Sequence, residues 1–165
     1  MKHARPPADP DSSQGAFVVA LGWLSARELS EGQVRERLAR RGYTARAIDP
    51  AIARLIAERT LDDRRAASEV ARTEARVRRH GPRRIITRLL AMRVDRELAK
   101  EIVQEIVAET DEAELAEQAL AKRLRGNTGR LSDPHERRKL VRYLVGQGFS
   151  ASQASRLIRK KSREK

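Results

Sequence analysis

From Ala16 onward the apolar residues recur at helical spacing, and the pattern returns three times. Leu38, Leu89 and Leu144 occupy one register position. Tyr43, Val94 and Phe149 follow five residues later, Ile48, Ala99 and Ala154 ten residues later, and Ile52, Val103 and Ile158 fourteen residues later. Repetition at a period near fifty residues predicts stacked helical units that share a core.

Start and stop residues divide each unit into three helices. In the first unit a helix is predicted from Phe17 to Glu28. Ser30 then caps a second helix, with Gln33 completing the capping box, and Gly42 ends it in a left-handed turn. The third helix starts at Thr44 or at Asp49-Pro50, with a bend or late start expected there. In the second unit Asp62-Asp63 opens a helix to Arg79, Gly81-Pro82 opens the next, and Asp95 caps a third to Glu109. The third unit starts its helices at Asp111, Asp133-Pro134 and Ser150, and the loop Gly126-Asn127-Thr128-Gly129 reads as a hinge. The predicted fold is all-α: three tandem three-helix repeats in an elongated, curved array. The expected boundaries are a disordered leader over residues 1–15, repeats over 16–61, 62–109 and 110–161, and a basic tail over 162–165.

Composition agrees with helices and narrows the function. Leu, Ile, Val and Phe supply only 36 of 165 residues, so the core must be thin or segmented. Two Phe, two Tyr and one Trp are too few for an aromatic-rich sheet, and the absence of Cys excludes thiol chemistry and Cys-based metal sites. No apolar run reaches the length of a membrane span, and the N-terminus lacks the pattern of a signal peptide, so a cytoplasmic protein is expected. The formal net charge is +13, which calls for a polyanionic partner. That charge is unevenly placed: residues 64–96 carry +8, residues 97–121 carry −7 and residues 122–165 carry +11.

In the first basic block Arg65, Arg72, Arg76 and Arg79 recur along one helical face, opposite a stripe that includes Val70 and Val77. Beyond Gly81-Pro82, Arg83, Arg84 and Arg88 lie on the polar side of a helix whose inner side is Ile85, Ile86 and Leu89. Unpaired backbone amides at its start would favour an anion. The second block holds Arg137, Arg138, Lys139 and Arg142 on one helix. Arg156, Arg159, Lys160, Lys161, Arg163 and Lys165 follow in a tail expected to be mobile. The candidate site for DNA or a partner filament is therefore Arg72, Arg76, Arg79, Arg83, Arg84, Arg88, Arg137, Arg138, Arg142, Arg156, Arg159 and Lys160. The acidic residues Glu97, Glu101, Glu105 and Glu109 step by four and would turn toward basic protein or toward arginines of the chain itself.

No catalytic, metal or cofactor site is read from the sequence. His3, His80 and His135 are far apart, no GxxxxGK[ST] is present, and Asp62-Asp63 serves as a helix cap. Gly126–Gly129 fits GxxG, but the strands that frame such a loop in KH domains are missing. Tyr43, Phe149 and Trp23 read as core anchors rather than base-stacking residues.

Five segments in this order, SEGQVRERLARRGY from Ser30, TLDDRR from Thr60, GPRRIITRL from Gly81, DEAELAEQAL from Asp111 and RRKLVRYLVGQGFS from Arg137, resemble the RecX family, regulators of the bacterial recombinase RecA. The chain departs from the family's pattern at Ala66 and Val70, where aromatics are usual. The resemblance implies a non-enzymatic, monomeric protein that binds RecA and its filament on single-stranded DNA. Such a protein suppresses filament growth, ATP hydrolysis and strand exchange, and so modulates DNA repair, recombination and the SOS response. The alternative is a sequence-tolerant DNA-binding or nucleoid-associated helical protein with no recombinase partner.

Overall fold

Every one of the twelve register residues is buried, from Leu38, Leu89 and Leu144 at 0 % exposure to Tyr43 at 8 %. The computed structural model describes residues 6–164, and these are helical throughout, with no strand among them. The helices are α1 Ser13–Leu24, α2 Glu31–Arg41, α3 Ala45–Ala57, α4 Asp63–Arg76, α5 Pro82–Ala91, α6 Arg96–Thr110, α7 Glu112–Leu124, α8 Pro134–Gly146 and α9 Ala151–Arg163, with a 3-10 turn at Thr128–Leu131 before α8. Residues 6–67 together with 90–95 form one compact unit, and residues 68–89 with 96–164 form a second.

In the first unit α1 and α3 pack closely, and Phe17, Val34, Leu38, Ile52 and Leu55 lie in the core. The α2 cap forms as read: Ser30 accepts from the Gln33 amide at 3.2 Å, the Gln33 side chain accepts from the Ser30 amide at 3.2 Å, and Gly42 ends the helix at φ 102°. The Ser30 hydroxyl also donates to the Met92 carbonyl, so the start of α2 sits on the turn after α5. Gly32 permits this approach, since a Cβ there would lie 2.3 Å from Cβ of Arg93.

Two expectations are corrected in this unit, and of the two starts left open for α3 the one at Thr44 is taken. Helix α1 starts at Ser13 because the Ser12 hydroxyl accepts from the Gly15 amide at 3.0 Å, and it stops at Leu24, short of Glu28. Within the expected disordered leader, residues 1–5 lie outside the described residues, while Pro10 accepts the Thr44 amide at 3.0 Å and Asp11 accepts the Thr44 hydroxyl. Helix α3 starts at Ala45 and carries Pro50 in its interior. Asp49 is not a cap but a partner of Arg35, which also binds Glu31, at 2.5 and 2.7 Å.

In the second unit α8 and α9 pack against each other, and α7 packs on both. Phe149, Leu140, Leu144, Ala154 and Ile158 are buried there. The predicted hinge at Gly126–Gly129 leads into the 3-10 turn, whose Leu131 is buried. The expected mobile tail is helical to Arg163, and Lys161 is 3.3 Å from Glu117 and 3.2 Å from Glu164. None of the helices is long and apolar enough to cross a membrane.

Candidate functional site

Helix α4 buries a face of small residues, Ala66, Ala67, Ala71 and Ala75, together with Glu74. Val70 is only half-buried and Val77 is 68 % exposed, which corrects the predicted apolar stripe. On the outer face Arg72 and Arg76 are exposed, with Arg76 3.5 Å from Glu109. Arg65 is engaged elsewhere: its guanidinium binds Glu28 at 3.0 Å and the Arg59 and Thr60 carbonyls, and the Glu28 carboxylate holds it in the charged form.

Arg79 leaves the predicted face. The Arg79 amide donates to the Ala75 carbonyl at 3.1 Å and the His80 amide to the Glu74 carbonyl at 3.0 Å, a left-handed closure that puts Arg79 at φ 61°, beyond the helix. The same turn buries a polar cluster that the sequence reading passed over. Glu74 (4 % exposed) lies 2.5 Å from Nδ1 of His80 (8 % exposed), 3.2 Å from Arg78 and 4.0 Å from Arg88. A buried carboxylate needs such partners. The visible signal was its place, one turn beyond Ala67 and Ala71 on the alanine face.

Helix α5 starts against the turn between α8 and α9. The Gly81 amide donates to the Gln147 carbonyl at 2.8 Å, the Arg83 amide to Gly148 at 3.2 Å, and the Arg84 guanidinium to Gly146 at 2.9 Å. Pro82 has no amide hydrogen, and the Arg84 and Ile85 amides donate to the Gly81 carbonyl. The anion site expected at this helix start is therefore filled by the protein's own carbonyls. Arg83, Arg84 and Arg88 remain exposed, above a buried side of Ile85 and Leu89 with Ile86 half-buried.

The second basic block is divided between two grooves. Arg137, Arg138, Arg142 and Arg159 converge on a groove of about 550 Å³ between α8 and α9, floored by Val141 and Ile158. Arg156 and Lys160 lie on the other side of α9, in a groove of about 420 Å³ facing α7 that Glu112 and Glu117 also line. Lys160 is 3.6 Å from Glu117. Lys139 points away from the first groove to Glu136, which Arg130 also holds, and these two cations lower the Glu136 carboxyl to about 2. Among the described residues Asp133, His135 and Glu136 place their ligand atoms within 4.8 Å of one another, a proximity the sequence reading did not anticipate. Both carboxylates are already engaged, Asp133 as cap of α8 through the His135 amide at 2.9 Å and Glu136 in its ion pairs.

Known proteins match this arrangement along its length. Residues 16–55 match the first three-helix domain of RecX and residues 109–158 the third. The chain is 35 % identical to the regulatory protein RecX of Thermus thermophilus over 134 residues, covering 81 % of this chain and 83 % of that one. It is 29 % identical to that of Pelodictyon phaeoclathratiforme over 149 residues, 90 % of each. The crystal structure of RecX from Lactobacillus salivarius superposes with a TM-score of 0.74 at 20 % identity, covering 90 % of this chain and 96 % of that one, and so shares its fold.

Proposed function

The chain belongs to the RecX family of regulatory proteins, and from that premise we propose that it binds a RecA recombinase and its filament on single-stranded DNA, restraining filament growth, ATP hydrolysis and strand exchange. The observation that carries this reading is the set of exposed guanidinium groups without carboxylate partners among the described residues. Arg72, Arg83, Arg138, Arg142 and Arg159 are exposed, and none of them has an ion pair there. At this density like charges repel one another, and an anionic partner relieves that repulsion. Arg76, Arg88 and Lys160 carry Glu contacts at 3.5 to 4.0 Å, long enough for an anion to exchange with them. A protein in contact with two neighbouring recombinase subunits would hold them in one arrangement, opposing the motion that subunit addition and hydrolysis require. It performs no chemistry in this reading, and its effect is purely one of binding.

The test is the steady-state ATPase of RecA on single-stranded DNA, titrated with substoichiometric amounts of this protein and then with excess single-stranded DNA. Persistent inhibition is expected. Inhibition that excess DNA abolishes would mean competition for the strand and would favour a sequence-tolerant DNA-binding protein. Salt separates the two in the same assay. Phosphate neutralisation alone loses affinity with a log-log slope of about −0.7 per contact on single strands, while a filament-specific complex resists salt better. Reversing Arg72, Arg83, Arg138 and Arg142 to Glu together should abolish inhibition while the helical circular dichroism is retained.

A further inference from the structure

Resting on that reading and extending it, we propose that the groove between α8 and α9 is the docking site for an acidic polypeptide segment carrying an aliphatic anchor. Four guanidinium groups, from Arg137, Arg138, Arg142 and Arg159, line it, and no carboxylate does. The guanidinium groups of Arg138, Arg142 and Arg159 have no ion-pair or hydrogen-bond partner among the described residues, although their sequence neighbours Lys139 and Lys160 are paired with Glu136 and Glu117. Three guanidinium groups of α8 and α9 without an ion pair among the described residues therefore meet on this one groove. Arg137 is held in place by a bond from its guanidinium to the Leu131 carbonyl at 3.3 Å, which fixes one edge of the site.

The floor distinguishes the occupant. Half-buried Val141, backed by the buried Ile158, presents an aliphatic surface in a concavity of about 550 Å³, room for one or two apolar side chains. Single-stranded nucleic acid is held by stacking its bases on aromatic rings, and this groove has none. Tyr143, the aromatic residue of α8, lies outside it under the Arg123 guanidinium, 5.2 Å from the ring centroid. A sugar-phosphate backbone would meet the arginines and leave the floor unfilled. A segment of Asp and Glu with a Leu or Ile between them satisfies both, the carboxylates pairing with the guanidinium forks and the aliphatic side chain covering Val141.

The experiment uses the full chain at physiological ionic strength and three fluorescent probes: a short Asp/Glu peptide with two central leucines, the same peptide with serines in their place, and oligothymidylate of matched charge. The leucine peptide should bind about tenfold more tightly than the serine peptide, and oligothymidylate should fail to displace it. Arg138→Glu with Arg142→Glu should abolish peptide binding. Val141→Gln should weaken the leucine peptide alone, and the isosteric Val141→Thr serves if Gln disturbs the helical circular dichroism. Equal binding of the two peptides, or displacement by oligothymidylate with no effect at Val141, would overturn the assignment, the latter in favour of a nucleic-acid groove. The RecA ATPase is measured on the same preparations. Inhibition by the wild-type chain without selective peptide binding removes the groove assignment and leaves the filament reading standing, whereas selective peptide binding without inhibition removes the filament reading.

Discussion

Several helices of this chain end on an arginine in the left-handed region, where glycine is the usual residue: Arg59 at φ 55°, Arg79 at 61°, Arg93 at 65° and Arg125 at 48°. A Cβ in that conformation costs roughly 1–2 kcal/mol, partly offset by the greater unfolded-state freedom of glycine, about 0.5–1 kcal/mol. Arg125 follows α7 and has no side-chain partner among the described residues, so Arg125→Gly should stabilise the protein by up to about 1 kcal/mol in urea denaturation. Glu136 gives a residue-scale dependence on pH. Lys139 first, then Arg130, lower its carboxyl from 4.5 to about 2 in the folded chain. The stabilisation is fully present above the ordinary carboxylate range and is lost as pH falls toward 2. A carbon-detected titration should find the Glu136 carboxyl titrating at the lower end of that window, and Arg130→Ala should move it upward.

At the scale of elements, two junctions use the same register positions. The start of α2 meets the turn after α5 through Ser30 and Met92, and the start of α5 meets the turn after α8 through Gly81 and Gln147. Gly42 and Gly148 hold the same place after their helices and nearly the same φ, 102° and 101°, but their surroundings differ. A Cβ on Gly42 would meet only Pro7, at 3.4 Å, whereas one on Gly148 would lie 2.5 Å from the Arg84 amide nitrogen. Gly42→Ala should therefore cost about 1 kcal/mol, the left-handed strain alone. Gly148→Ala should cost clearly more, and it should also loosen the α5 start, read as faster hydrogen exchange at the Gly81 and Arg83 amides. The helix starts at Ser30, Asp133 and Ser150 were legible because capping is a local event between a side chain and amides two or three residues away. The end of α4 was not. Its closure runs through Arg79, a residue with no intrinsic preference for the left-handed conformation, and the partners of the buried Glu74 include the exposed Arg88 from another helix.

For the whole molecule the dominant feature is its charge of +13, carried mostly by two basic blocks, residues 64–96 and 122–165, on either side of an acidic one. Self-repulsion of that excess opposes folding at low ionic strength, and salt screens it over about 8–10 Å near physiological concentration. The melting temperature should accordingly rise between about 10 mM and 150 mM salt, measured by calorimetry, although many individual ion pairs weaken over the same range. A fall would mean that pairs such as Arg35 with Glu31 and Asp49 outweigh the net repulsion.

The sequence by itself determined the helical class, the threefold register and most helix starts, because these rest on periodicity and on contacts between residues near in the chain, and its five family-like segments pointed to the family by resemblance. It also located the two basic blocks, since charge is additive along a chain. Only tertiary structure decided which basic residues lie together. Arg159 joins Arg137, Arg138 and Arg142 through the packing of α9 on α8, while Arg156 and Lys160, on the opposite side of α9, face Glu112 and Glu117. Likewise two amides at the start of α5, those of Gly81 and Arg83, are spent on carbonyls more than sixty residues away. Which face of a helix meets which neighbour depends on all the side chains between them, and no local pattern encodes it.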